Sequence, residues 1–425
     1  MKALSEKLHN HYSVLLAVCT GLYFFASVET VSVIDYTSFA SLFKILRYLC
    51  YLAFGLLALA AMGDFSLDNP SRFFRSLMTW IGSHVIFLAA SVLAVITSFT
   101  SRGLESIVLV LIVTAASFSP LPDLFLGALC GMAAGFMLVA LLAATGVIEN
   151  YVFVRESDVR YALGFIYPLE AQSVVLMMSL LILVLFWKKL NFVICLGVFV
   201  LNVLVYLLTK GRMSLIMAAL ACLLFWICHQ IPQKQMKAVL CTPWMRAIMW
   251  ICLILVFVLP LILCSQFDWS ELWMTIDSYT NGRIRFGYQG LRDYGIPLFG
   301  QQVTWVGLGG AADGEAFLEA THNYNYVDTA YLKMLIDYGW IAGLTVFMGY
   351  GFTMDRLMRK GRTAGLCALT IILLVSLSEP RLIQIAMNPF LLYLAPALCT
   401  QNRGLKFTME DPHVPGLKAA GGIRS

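Results

Sequence analysis

Residues Val174–Trp187 read VVLMMSLLILVLFW, and Phe192–Leu208 read FVICLGVFVLNVLVYLL, with Lys188-Lys189-Leu190-Asn191 between them. Neither run contains a charge. Crossing the hydrocarbon core of a bilayer takes ~20 apolar residues in a helix, so the two runs read as a pair of spans joined by a basic turn. The pattern repeats outward in both directions. Of 425 residues, 60% are hydrophobic and 12% are charged, whereas soluble domains carry roughly 25% charged residues. No water-soluble core of this size hides that much apolar surface, which excludes a soluble globular protein.

The runs predict an all-α, polytopic integral membrane protein with about twelve helices at that length rule. The spans fall near residues 11–29, 42–62, 77–97, 103–118, 123–146, 170–187, 191–208, 213–229, 246–265, 328–350, 363–378 and 383–400. Residues 1–425 then form a single transmembrane domain, with one large loop at 266–327 and a flexible tail at 401–425. Lysine and arginine cluster in alternate connections, at Arg72/Arg75, Lys188/Lys189, Lys234/Lys237/Arg246 and Arg356/Arg359/Lys360/Arg362. Cytoplasmic loops carry such an excess, so both termini are expected in the cytoplasm, with the long loop outside. The eleven cysteines are scattered through apolar runs with no CxxC pair and read as small packing residues. No spacing of histidine and cysteine suggests a metal site or a cofactor, and nothing points to nucleic acid.

The informative charges are those on the other side, since basic residues there do not help topology and charge at a membrane boundary is a functional signal. Lys210 and Arg212 flank Gly211 in a tight turn between two spans. In the long loop, Asn281-Gly282 reads as a turn opening a short amphipathic helix that carries Arg283, Arg285 and Arg292. At ~100° per residue Arg285 and Arg292 share a face and Arg283 points away, so the three are not expected to line one pocket. Guanidinium groups bind phosphate through paired donors, which points to an anionic partner. His322-Asn323 follows, with Asp328 and Tyr331 three residues apart on the expected start of a span. His322 is the best general-base candidate by type. Lys333 and Asp337, four apart, are expected to neutralise each other, and Glu379 and Arg381 to pair together or with other outer charges.

These segments together resemble the Wzy-type polysaccharide polymerases and, more broadly, the O-antigen polymerase and ligase superfamily. The resemblance rests on Gly211-Arg212 at a helix start, Asn281-Gly282-Arg283 with Pro297-Leu-Phe-Gly300 downstream, His322-Asn323, and the Val327–Gly339 run with Asp328, Tyr331 and Tyr338. It implies a GT-C-like helical bundle and a metal-independent glycosyltransferase in a bacterial cytoplasmic membrane. The substrates would be polyprenyl-pyrophosphate-linked oligosaccharides, with membrane lipid around them and a chain-length regulator and a flippase as partners. Arg212 and Arg283 would face the pyrophosphate, His322 the acceptor or the phosphate, and Asp328 and Tyr331 the acceptor. Lys210, Arg285, Arg292, Asn323, Glu379 and Arg381 would complete the substrate site.

Two other functions stay open on sequence. An O-antigen ligase would transfer finished glycan to a lipid core, and a secondary transporter or flippase would use the same arginines as an anion site. Against the transporter, no self-similarity relates the two halves, and the charges gather near one surface rather than in mid-span.

Overall fold

The computed structural model describes residues 2–155, 158–309 and 321–395. The chain runs through α1 (Lys2–Ser27), α2 (Ala40–Met62), α3 (Pro70–Ser83), α4 (Val85–Ser101), α5 (Glu105–Ala116) and α6 (Leu121–Ala144). An antiparallel hairpin follows, β1 (Val152–Arg155) and β2 (Asp158–Tyr161), with Val152 opposite Tyr161. Then come α7 (Pro168–Leu185), α8 (Phe192–Thr209), α9 (Arg212–Gln230), α10 (Gln233–Leu240) and α11 (Pro243–Ser265). Short α12 (Glu271–Tyr279) and α13 (Arg283–Tyr294) occupy the long loop, before α14 (Ala330–Lys360) and α15 (Thr363–Val375). The hairpin is the exception to an all-α reading. Its alternating Val152, Phe153, Val154 and Val159, Arg160, Tyr161 carry the β-branched and aromatic residues that strands favour.

Seven helices among the described residues are long and apolar enough to cross a membrane, or eight if α3 and α4 count as one bent span. The protein is therefore a multi-pass membrane protein, with fewer continuous spans than the twelve expected. The physical reasons differ. The expected span at 77–97 breaks at His84, where α3 and α4 meet at 86°. Asn69 caps α3 and Pro70 opens it, so its start is set upstream of the apolar run. Helices α5 and α15, of 12 and 13 residues, rise only about 18–20 Å against a ~30 Å core. In α14, Gly339 sits at φ 83 and ψ 176 and breaks the helix.

The expected span at 383–400 is not a continuous helix. Residues 383–388 form turns, Pro389–Leu394 is a 3-10 helix, and the remainder, with the expected tail at 401–425, lies outside the described residues. Pro380 and Pro389 each lack a backbone donor. Non-helical backbone at membrane depth survives only inside protein, and here Leu382, Phe390, Leu391 and Leu392 are all 0% exposed. Buried Asn388 replaces the lost helical bonds: its Nδ2 donates to the Leu382 carbonyl at 2.9 Å and its Oδ1 accepts from the Phe390 amide at 3.2 Å.

Two packing devices organise the bundle. On α6, Gly127, Gly131 and Gly135 face α1, and a Cβ at Gly131 would meet the Gly21 carbonyl oxygen at 2.1 Å. Small residues every fourth position let backbones approach this closely in lipid. The pairing rises together along both helices, Ala17 with Gly127 and Gly21 with Gly131, so α1 and α6 run parallel. The centre is α7, buried along nearly its whole length, whereas α8, α9 and α11 expose much of their apolar surface. Hydrogen bonds tie α7 to α8, from Asn202 Nδ2 to Ser179 Oγ at 2.7 Å and from Thr209 Oγ1 to Gln172 Oε1 at 2.9 Å.

Charged groups gather at both ends of the bundle. At one end Arg246 and Arg359 both hold Asp355, at 2.5 and 2.7 Å, and Lys237 packs on Gly361. At the other end the starts of α7 and α9, the hairpin, α13 and the turn after α15 converge on a cavity.

Candidate functional site

That cavity has a volume of about 720 Å³ and is lined by six cationic side chains and four carboxylates. It is built from the β2 strand, the start of α7, the α8–α9 turn, the start of α13, the approach to α14 and the turn after α15. Loops at the end of a rigid bundle can vary their side chains without disturbing the spans.

The floor is a buried charged cluster. Arg381 pairs with Glu170 in the first turn of α7 and lies 3.5 Å from Glu379. Glu379, 6% exposed, accepts hydrogen bonds from Ser173 Oγ at 2.6 Å and Ser214 Oγ at 2.7 Å. A buried carboxylate needs such partners, and these three come from α7, α9 and the turn after α15. Burial works against the charge of Arg381, but the facing Glu170 and Glu379 outweigh it and raise its pKa. Arg381 Nε and Nη1 have no hydrogen-bond partner among the described residues.

Above the floor stand the cations. The α8–α9 turn places Lys210 at φ 55, so the left-handed residue is the lysine and not Gly211. Gly211 serves close approach instead: a Cβ there would sit 2.9 Å from Gln172 Cγ. Arg212 reaches Asp158 of β2 at 3.4 Å and remains 72% exposed. Gly282, at φ 83, opens α13. The first turn of α13 is held by Asp277 of α12, whose Oδ1 accepts the Ile284 and Arg285 amides, both at 3.0 Å. A side-chain carboxylate satisfying free amides at a helix start is a capping interaction, and it fixes where Arg283 and Arg285 stand. Lys210 and Arg160 line the cavity without an ion-pair partner among the described residues.

Asp328 faces these groups. It lies 3.4 Å from Arg283 and its side chain is 33% exposed, on the cavity wall. Burial pushes its carboxyl above the ordinary value, Arg283 pulls it down, and Glu379 and Glu170 add to the push; the net shift is upward. Tyr324 and Tyr326 line the same wall, and burial raises both phenols, so they stay protonated donors. Tyr324 packs on Phe286 at 4.6 Å between ring centres. Such rings beside polar groups suit the faces of sugars.

Of the residues singled out in the sequence, the structure brings Lys210, Arg212, Arg283, Arg285, Asp328, Glu379 and Arg381 into one cavity. Arg283 and Arg285 both line it, although they stand two apart at the start of α13. Arg292, expected on the face of Arg285, is 58% exposed and bonds Asp293 at 2.8 Å. Tyr331 is 1% exposed; its hydroxyl donates to the Leu373 carbonyl at 2.5 Å, so it holds α14 to α15 and does not face the cavity. His322 and Asn323 are exposed and are not part of the cavity wall. Asp328 precedes the first turn of α14, so it and Tyr324 are placed by an extended approach and not by a helical face. Lys333 and Asp337 do pair, at 2.7 Å.

The sequence reading passed over Asp158, Glu170, Ser173, Ser214 and Asp277. Only Glu170 carried a local signal, an acid just after Pro168 at the head of an apolar run, where helix starts favour negative charge. Among the described residues, no group of three or more His, Cys, Asp or Glu side chains is placed to hold a metal ion.

The arrangement can hold a multiply charged anion against its cations while offering a carboxylate and two phenols to a hydroxyl-bearing partner. Compared with known protein families the chain matches none, and no characterised protein is detectably similar to it in sequence.

Proposed function

We propose that this cavity binds a polyprenyl-pyrophosphate-linked oligosaccharide and transfers it to a sugar hydroxyl, as a polysaccharide polymerase of the Wzy type does at the outer face of a bacterial cytoplasmic membrane. The observation that carries the reading is Asp328, a carboxylate with a raised pKa set among six cations at the end of a membrane bundle. The basic clusters at the far end support a cytoplasmic assignment for that end and for the termini.

In the transfer, the acceptor hydroxyl attacks the anomeric carbon of the donor saccharide. The new glycosidic C–O bond forms as the bond from that carbon to the phosphate oxygen breaks, and the electron pair leaves with polyprenyl pyrophosphate. The acceptor proton passes to the Asp328 carboxylate and then to water. A base whose pKa is raised toward the working pH is better matched to that role. Arg160, Lys210, Arg212 and Arg285 take the charge growing on the leaving diphosphate, where preorganised donors act most strongly. Arg283 holds Asp328, and the Arg381–Glu170–Glu379 floor keeps α7, α9 and the turn after α15 in register.

The test is the size distribution of surface polysaccharide in the native host with the gene deleted. Loss of the polymer ladder with single repeat units persisting, restored by the wild-type gene and not by Arg212→Ala or Arg283→Ala, is the expected result. Polymer accumulating on its lipid carrier would favour the ligase. An unchanged ladder rejects both.

A further inference from the structure

A second cavity, of about 560 Å³, lies at the opposite end of the bundle, bounded by the α7–α8 connection, the end of α9, the start of α10 and the start of α15. Lys188, His229 and Arg362 line it, and no carboxylate does. The acid nearest in chain position, Asp355, is already held by Arg246 at 2.5 Å and Arg359 at 2.7 Å. Arg362 forms no ion pair among the described residues, and its Nε is buried without a hydrogen-bond partner. A buried guanidinium nitrogen left unsatisfied costs free energy unless a ligand completes it.

The backbone adds to this. Arg362 is the residue before α15 and Thr363, the first residue of that helix, lines the cavity. The Arg362 side chain makes no capping hydrogen bond to this helix start, and helix starts carry the positive end of the helix dipole. Trp187 forms part of the wall, edge-on to His229 with ring centres 5.1 Å apart. The cavity opens where the basic turns of the bundle meet, and basic pockets between spans suit phosphate-bearing headgroups.

We propose that this second cavity is a binding site for a phosphate group, bound by Arg362, Lys188 and His229 beside the start of α15. The inference is independent of the glycosyl-transfer reading, because it concerns other residues at the other end of the molecule. The phosphate can belong to an anionic phospholipid of the adjoining leaflet or to a soluble phosphate compound, and the two share the chemistry described.

The experiment measures the thermal unfolding midpoint of the full chain in phosphatidylcholine nanodiscs, with and without phosphatidylglycerol, and separately with inorganic phosphate. A ligand that binds only the folded state raises the midpoint. The expected result is a rise of a few degrees with phosphatidylglycerol that is lost in Arg362→Gln and in His229→Gln but kept in Lys234→Gln, an exposed lysine outside the cavity. The same variant-sensitive rise with inorganic phosphate assigns the site to soluble phosphate compounds. No rise with either probe, or a rise that both cavity variants retain, overturns the proposal. Should Arg362→Gln fail to fold, His229→Gln and Lys188→Gln carry the comparison.

Discussion

Asp328 stands at the point where three influences meet. Burial favours its neutral form, Arg283 at 3.4 Å favours the charged form, and the acids of the floor oppose charge again. The net direction is upward, so the carboxylate needed as a base is lost at a higher pH than for an ordinary aspartate. Transfer measured in membranes with a lipid-linked donor is therefore expected to fall as pH is lowered through a pKa above the ordinary 3.8. An acid limb centred at or below that value contradicts the assignment. Replacing Asp328 with Asn removes the base while keeping the shape, and a loss of about 10²–10⁴-fold in rate is expected, with the protein still inserted and folded. Among residues named from type alone, His322 is the contrast. Its imidazole made it the chemically obvious base, yet it is exposed and outside the cavity wall. Residue type carried no information about distance.

At the scale of elements, the break in α14 explains two sequence segments together. Gly339 leaves helical geometry, which frees backbone groups in the middle of a partly buried helix. Residues 297–301 take them up: the Pro297 carbonyl accepts the Trp340 amide at 3.0 Å, the Leu298 carbonyl accepts the Ile341 amide at 3.2 Å, and Gln301 N donates to the Asp337 carbonyl at 3.0 Å. The Pro-Leu-Phe-Gly stretch and the Tyr-Gly at 339, read separately in the sequence, are thus two halves of one joint. The joint anchors the chain between α13 and α14, which carries the cavity wall. A methyl group at 339 would meet Gly300 N at 2.6 Å and the Leu298 carbonyl carbon at 2.7 Å, at a φ that side chains avoid. Gly339→Ala is expected to cost about 1–3 kcal/mol from the backbone strain and a similar amount, about 1–3 kcal/mol, from overpacking. Unfolding midpoints in detergent check it; a variant as stable as the wild type rules out the joint.

For the whole molecule, the basic turns at one end and the charged cavity at the other set the orientation to be tested. One end carries Lys188, Lys237, Arg246, Arg359 and Arg362, and the other carries the six-cation cavity. Single cysteines placed at Lys234 in α10 and at Tyr279 in α12, in a chain cleared of its own thiols, are expected to react with an impermeant reagent from opposite faces. Tyr279 is 83% exposed and Lys234 is exposed, so accessibility does not confuse the result. Labelling of Tyr279→Cys from the cell exterior and of Lys234→Cys only after lysis supports an outward cavity. Both positions reacting from one face rejects the arrangement.

The sequence by itself determined that the protein lives in a membrane, where most of its spans lie, which turns are basic and which short segments are polar. Those properties are local: each helix must satisfy its own backbone and present its own apolar surface to lipid. It overstated the spans where proline, a helix break or short length acts on a run that hydropathy alone scores as continuous, as at 383–400 and at Gly339. Only the tertiary structure decided which charges meet. Glu379 is held by serines 206 and 165 positions away, and Arg381 by an acid 211 away. No periodicity encodes such pairings, because they arise from how the bundle closes. That closure left Arg292, Tyr331 and His322 outside the cavity and brought Glu170, Ser173 and Ser214 to its floor.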